Sequence, residues 1–106
     1  MHDKEIEELK NRITEELMPQ RIYLFGSYAD GTYTDESDYD FYVVVNDDAG
    51  NLVELASKAY AAIGNDRKKP VDILIGRITR FEEMKNLPTV ENEVYMKGVL
   101  LYGKAD

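Results

Sequence analysis

The sequence predicts an α/β fold of the two-layer α+β kind, in which a small mixed sheet is covered by helices. Three observations predict it. Apolar residues recur at helical spacing in two long stretches, Ile6 to Leu17 and Leu52 to Ile63. Short β-branched and aromatic runs, RIYLF, DYDFYVVV and VDILI, stand between and after them. Helical and extended segments therefore alternate along the chain, the pattern of a sheet layered with helices. With 106 residues the chain has the size of one domain, so residues 1–106 are expected to form a single unit.

The elements follow in order. Ile6, Leu9, Ile13 and Leu17 form the apolar stripe of a first helix, which Pro19 stops. Arg21 to Phe25 reads as a short strand ending at Gly26, and Ser27-Tyr28-Ala29-Asp30 has the form of a capping box opening a brief helix. Small and polar residues from Gly31 to Ser37 make a loop. Asp38 to Val45 is the clearest strand, with Tyr39, Phe41, Val43 and Val45 on one face and Asp38, Asp40, Tyr42 and Val44 on the other. Leu52, Leu55, Ala56, Ala59, Tyr60 and Ile63 line a helix that Gly64 terminates. PVDILIG supplies a strand with Val71, Ile73 and Ile75 opposite Asp72 and Leu74. Phe81 and Met84 mark a short helix, Val90 to Lys97 another, and VLLY after Gly98 a last strand. The strand directions cannot be read from this alternation.

Composition narrows the function. The formal net charge of −8 lacks the basic face expected of a general nucleic-acid binder. It also repels a nucleoside triphosphate, so a nucleotide site would need metal ions or a local cluster of donors. The absence of cysteine excludes disulfides, thiolate metal sites and cysteine nucleophiles. The charged N-terminal stretch has no signal-peptide core, and no apolar run has membrane-spanning length, so a cytoplasmic location is expected.

Chemistry concentrates between Leu24 and Val45. Asp38 and Asp40 lie two apart in a strand, so their carboxylates leave one face with Cα atoms roughly 6–7 Å apart. Such a pair can converge on a hard cation such as Mg²⁺, which prefers oxygen ligands and keeps several waters. Asp72 interrupts an apolar strand, where an unpaired buried charge would be costly. A site shared with Asp38 and Asp40 gives it a reason. Gly26 and Ser27 sit where a strand turns into a helix, a place where a phosphate can approach free backbone N–H groups and the Ser27 hydroxyl.

Gly26-Ser27, ten intervening residues and then Asp38-x-Asp40 resemble the signature of the polymerase-β-like nucleotidyltransferase superfamily. LFGSYADG and SDYDFYV are similar to the minimal nucleotidyltransferases, small prokaryotic proteins often paired with a helical HEPN partner as antitoxin and toxin. The resemblance extends over nearly the whole chain, including VDILI and KGVLLYG. It implies that Asp38, Asp40 and Asp72 are catalytic carboxylates that bind metal, two Mg²⁺ ions being expected. It implies that Gly26 and Ser27 contact the phosphates of ATP or another NTP. The implied activity is transfer of a nucleoside monophosphate to a hydroxyl, AMP onto a tyrosine of the toxin in related antitoxins. Asp30 departs from the pattern, since many relatives carry a basic residue there, and it places an acid close to the phosphates.

Each motif also has a plainer reading. Gly-Ser before a turn is ordinary helix capping, and DESDYD alone would be a solvated acidic loop. As a calcium loop DESDYD fails, because Tyr39 fills an alternate ligand position and no glycine follows in place. Arg67-Lys68-Lys69 reads as a solvated turn that could reach a phosphate, and His2 as incidental. Among the tyrosines Tyr42 is the candidate for stacking on a base from the site face. Two other functions fit the same residues, a non-catalytic antitoxin and a small-molecule nucleotidyltransferase of the antibiotic-modifying type. The latter class normally uses a further domain to shape its acceptor pocket.

Overall fold

The computed structural model describes residues 4–104, so His2 lies outside the described residues. Helix α1 (Lys4–Leu17) buries Ile6, Leu9 and Ile13, the stripe its periodicity predicts. Met18 follows with a positive φ of 47°. That left-handed residue ends the helix ahead of Pro19, which disfavours continued helix in the residue before it. Strand β1 (Arg21–Phe25) leads into a single helical turn, α2 (Ser27–Asp30). Then come β2 (Tyr39–Val45), α3 (Leu52–Ile63), β3 (Val71–Arg77), α4 (Ile78–Met84), α5 (Val90–Lys97) and β4 (Val99–Tyr102).

The four strands form one mixed sheet in the order β3-β2-β1-β4. β1 runs antiparallel to both β2 and β4, while β2 and β3 are parallel. β1 and β2 therefore lie inside the sheet, and their burial on both faces shows it: every residue from Arg21 to Leu24 and from Phe41 to Val45 is buried. Ile22, Leu24, Tyr39, Phe41, Val43 and Val45 pack under α1 and α3. On the opposite face Tyr23, Tyr42 and Val44 meet Phe81 of α4 and Val94 of α5. The alternation read from DYDFYVVV thus separates two apolar clusters on the two sides of one strand.

Side chains place the flanking helices as firmly as apolar burial does. Asn51 caps α3 by accepting from the Glu54 N–H at 3.1 Å, and Thr89 caps α5 by accepting from the Asn92 N–H at 3.1 Å. α5 is further tied down by a buried carboxylate. Glu91 is only 6% exposed and accepts a hydrogen bond of 2.8 Å from the Tyr42 hydroxyl. Gly76 on β3 leaves the room for that ring, because a Cβ there would overlap the Tyr42 hydroxyl. Tyr42 does lie on the face carrying Asp40, but at 3% exposure it is committed to Glu91 and is closed to a nucleobase.

Tyr42→Phe would leave the buried Glu91 carboxylate without this donor. The expected loss is about 1–3 kcal/mol of unfolding free energy, measured by urea denaturation. An unchanged midpoint would mean that the pair does not anchor α5.

Candidate active site

Three of the elements deliver the predicted residues to one end of the sheet. β2 begins at Tyr39, whose N–H donates to the Pro70 carbonyl, so Asp38 sits one residue ahead of the strand rather than inside it. The parallel β2–β3 register sets Asp40 directly opposite Asp72. Neighbouring strands lie about 4.8 Å apart, so these two carboxylates face each other at close range. The antiparallel β1–β2 register places Phe25 opposite Asp40, and the next residue is Gly26.

Gly26 fits against the acids more tightly than its sequence role requires. Its φ of 74° and ψ of −153° belong to a region essentially confined to glycine. A Cβ at this position would overlap Asp40 Oδ2. Gly26 therefore both makes the sharp exit from β1 and gives the Asp40 carboxylate its space.

The charges respond to this crowding. The Asp40 carboxyl is pushed up to about 6, first by burial, then by the charges of Asp72 and Asp38 and a hydrogen bond to Asp72, with Glu93 adding to the repulsion. Asp72 itself is exposed. β3 is an edge strand, and the burial penalty expected for Asp72 falls instead on Asp40, in the sheet interior. Asp38 is partly buried.

The turn after β1 also differs from the expected capping box. Gly26, not Ser27, occupies the N-cap position of α2, and no side chain caps it. The Asp30 carboxylate turns forward instead, accepting from the Thr32 N–H at 3.0 Å and the Thr32 hydroxyl at 2.6 Å. These bonds hold its carboxyl below the usual range. Helix α2 is one turn long, so its dipole is slight. The donors it offers are local: Ala29 and Asp30 N–H groups close onto the Gly26 carbonyl, and the N–H groups of Ser27 and Tyr28, first in the turn, have no acceptor within a helix.

The remaining candidates fall away from the acids or are already engaged. Arg67 donates to the Gly64 carbonyl, the Lys68 N–H to Glu5 at 2.8 Å and the Lys69 ammonium to the Asp35 carbonyl at 2.8 Å. The basic run is thus tied to its own loop, to α1 and to the loop before β2. Two residues that sequence reasoning did not single out act on these groups through their charge, Glu93 on Asp40 and Lys97 on Asp30. Both come from α5. The signal for them was the KGVLLYG segment, because pairing of its strand beside β1 returns the end of α5 to Gly26.

The donor set suits a hard cation held openly. Among the described residues no three acidic or histidine side chains enclose a metal ion on their own. Asp40 and Asp72 instead form an opposed pair with Asp38 at its edge, a set that would need phosphate and water oxygens to complete a shell. Mg²⁺ prefers that arrangement, taking one or two carboxylates together with substrate phosphates and several waters.

Known proteins share this framework. The sequence pattern of the nucleotidyltransferase domain family matches residues 6–101. A protein of Methanocaldococcus jannaschii, provisionally named a protein adenylyltransferase, is 36% identical over 67 residues, 63% of this chain. The match spans 59% of that relative's length. A toxin–antitoxin crystal structure with AMP-PNP superposes with a TM-score of 0.60 at 27% identity, covering 92% of this chain and 73% of the other. A mutant of the MntA–HpeT toxin–antitoxin complex covers the same shares with a TM-score of 0.54 at 26% identity. A provisionally named nucleotidyltransferase from Sulfolobus solfataricus shares the fold, with a TM-score of 0.65 at 19% identity over 95% of this chain and 79% of that one.

The raised Asp40 carboxyl gives a stability test without any ligand. Between its ordinary value of 3.8 and its folded value of about 6, the folded chain holds a proton that the unfolded chain has released. That contribution is complete below pH 3.8 and lost as pH rises through about 6. Asp40→Asn, which carries no charge, should therefore melt higher than the wild type in EDTA about one to two pH units above the folded value of about 6. The gain should shrink towards zero near pH 4, roughly the ordinary carboxylate range. Gly26→Ala should lower the melting temperature at every pH, the backbone conformation alone costing about 1–3 kcal/mol of stability.

Proposed function

The chain belongs to the nucleotidyltransferase domain family, and from that premise we propose that it transfers AMP from ATP to a hydroxyl of a partner protein, with Mg²⁺ as cofactor. The partner of the proposal is a HEPN-type toxin, and the chain serves as its antitoxin. The observation that carries the reading is the opposition of Asp40 and Asp72 at the mouth of β2 and β3, with Asp38 beside them and the Gly26 turn packed onto Asp40.

Each residue has a task in that reaction. Mg²⁺ held by Asp38, Asp40 and Asp72 would offset the charge of the triphosphate and lower the pKa of a bound hydroxyl. The N–H groups of Ser27 and Tyr28 and the Ser27 hydroxyl would hold phosphate oxygens. The acceptor oxygen attacks the α-phosphorus, and the bond from that phosphorus to the β-phosphate oxygen breaks as pyrophosphate leaves. The acceptor proton passes to a carboxylate of the three. Docking of a partner would supply the wall that this small, open site lacks, excluding water and aligning the acceptor.

The relatives support this choice among acceptors. One is named for protein adenylyl transfer, and two are toxin–antitoxin assemblies. In one of the latter, two aspartates spaced i, i+2 are replaced by glutamate, the spacing of Asp38 and Asp40 here.

Co-expression with a HEPN-type protein encoded beside it in the genome, followed by intact-mass measurement, tests the proposal, and the lack of any such neighbour would count against it. One added AMP on the partner is expected, and it should disappear with Asp38→Asn/Asp40→Asn while the complex persists. Tight binding without modification would favour a passive antitoxin. Labelling of a small molecule, with the partner untouched, would point to the antibiotic-modifying class instead.

A further inference from the structure

The negative end of the sheet raises a problem for a nucleotide that already carries about four charges. Around the Gly26 turn stand Asp30, Asp38, Asp40, Asp72 and Glu93. Magnesium bound by the three aspartates would neutralise the oxygens nearest them, but not those reaching towards Ser27 and Asp30. A cation on that side is needed, and α5 supplies one.

The backbone fixes its position. β4 pairs antiparallel with β1, with Val99 opposite Leu24. Lys97 ends α5 two residues before Val99, so the helix finishes next to the exit of β1 towards Gly26. The approach is close, since a Cβ on Gly98 would come within 3.0 Å of the Leu24 carbonyl. Glu93 and Lys97 lie four residues apart on α5, one helical turn or about 5.4–6 Å along its axis. Glu93 is within electrostatic reach of Asp40 and Lys97 within reach of Asp30. The C-terminal turn of α5 therefore lies near the end of β1, with Glu93 acting on Asp40 and Lys97 on Asp30.

Lys97 is exposed and lines an open groove of about 440 Å³ with Asn92, Glu93 and Met96. Among the described residues its ammonium has no ion-pair partner, although Glu93 stands at a spacing suited to one. Asp30 is engaged with Thr32. The other lysine near α2, Lys69, donates to the Asp35 carbonyl and lies 5.7 Å from the centre of the Tyr28 ring. Lys97 is thus the lysine on this side whose ammonium, among the described residues, has neither a hydrogen-bond nor an ion-pair partner.

We propose that Lys97 binds the outer phosphates of the nucleotide, its ammonium closing over the Gly26–Ser27 turn from α5. The inference rests on the nucleotide-binding reading above and names a residue for it. It divides the site into two halves of opposite chemistry, carboxylates towards the α-phosphate and an ammonium towards the leaving pyrophosphate. Because the ammonium touches only phosphates that a monophosphate lacks, it should discriminate by phosphate number.

Titration calorimetry of the full chain with Mg²⁺–ATP and with Mg²⁺–AMP tests it, alongside melting curves. Lys97→Ala should weaken ATP binding about ten- to a hundredfold, the range of one hydrogen bond to a charged group. AMP binding should change less than about threefold, about 0.65 kcal/mol by the same arithmetic. Lys97→Arg should restore most of the ATP affinity, and Lys97→Glu should weaken it further. Melting temperatures should stay within about a degree of the wild type, as befits an exposed side chain. Equal ATP affinity in the wild type and Lys97→Ala overturns the inference while leaving the nucleotide site standing. Equal weakening for ATP and AMP also overturns it, since the contact would then not be to the outer phosphates. A wild type that binds no nucleotide at all would overturn both readings together.

Discussion

Repulsion among carboxylates organises this protein's working end. Asp40 is the centre of it, since it alone of the three aspartates lies in an interior strand with an acid directly across the ladder. Its backbone neighbours are fixed by β1 on one side and β3 on the other, so the side chain cannot relieve the strain by moving away. Gly26 is shaped to accept the carboxylate, and the mirror-β conformation at that residue turns the chain towards Ser27. A site that disfavours its own charge in the absence of a cation is primed to bind one, because the cation removes the repulsion as it enters.

The rest of the fold holds that arrangement still. On one face, Tyr39 and Phe41 are locked beneath α1 and α3, which fixes the peptide on either side of Asp40. On the other, the bond from Tyr42 to Glu91 ties α5 to the strand two residues further on. α5 then carries Glu93 and Lys97 to the acids and to Asp30, while β4 anchors its end against β1. Buried polar pairing and apolar packing thus act on the same few residues of β2. Stability and site geometry are consequently coupled: a change that loosens α5 also displaces charges that act on Asp40 and Asp30.

Much of this was legible in the sequence, and for simple reasons. The 3.6-residue stripes of α1 and α3 and the alternation of β2 are local patterns that survive in any tertiary context. The spacing of Asp38 and Asp40 likewise sets their common direction before any neighbour is known. What required the sheet was the identity of the neighbours. Asp72 is exposed because the face of edge strand β3 that carries it and Leu74 is left uncovered, while Val71 and Ile73 on the other face are buried, and no local pattern encodes that cover. Ser27 does not cap α2 because Gly26 takes the cap position with a positive φ, which leaves Asp30 free to bond Thr32. Tyr42 is unavailable to a base because Glu91, 49 residues away, lies over it. Lys97 and Glu93 became visible only with the antiparallel pairing of β4 to β1.

The dependence of nucleotide binding on a divalent cation bears most directly on this picture. Without magnesium, a triphosphate meets Asp38, Asp40 and Asp72 with nothing between the charges. Titration calorimetry with ATP should give clear binding in Mg²⁺ and at least about a tenfold loss in EDTA, a difference of 1.4 kcal/mol or more. Equal affinity in the two conditions would show that the three aspartates do not share a cation with the nucleotide.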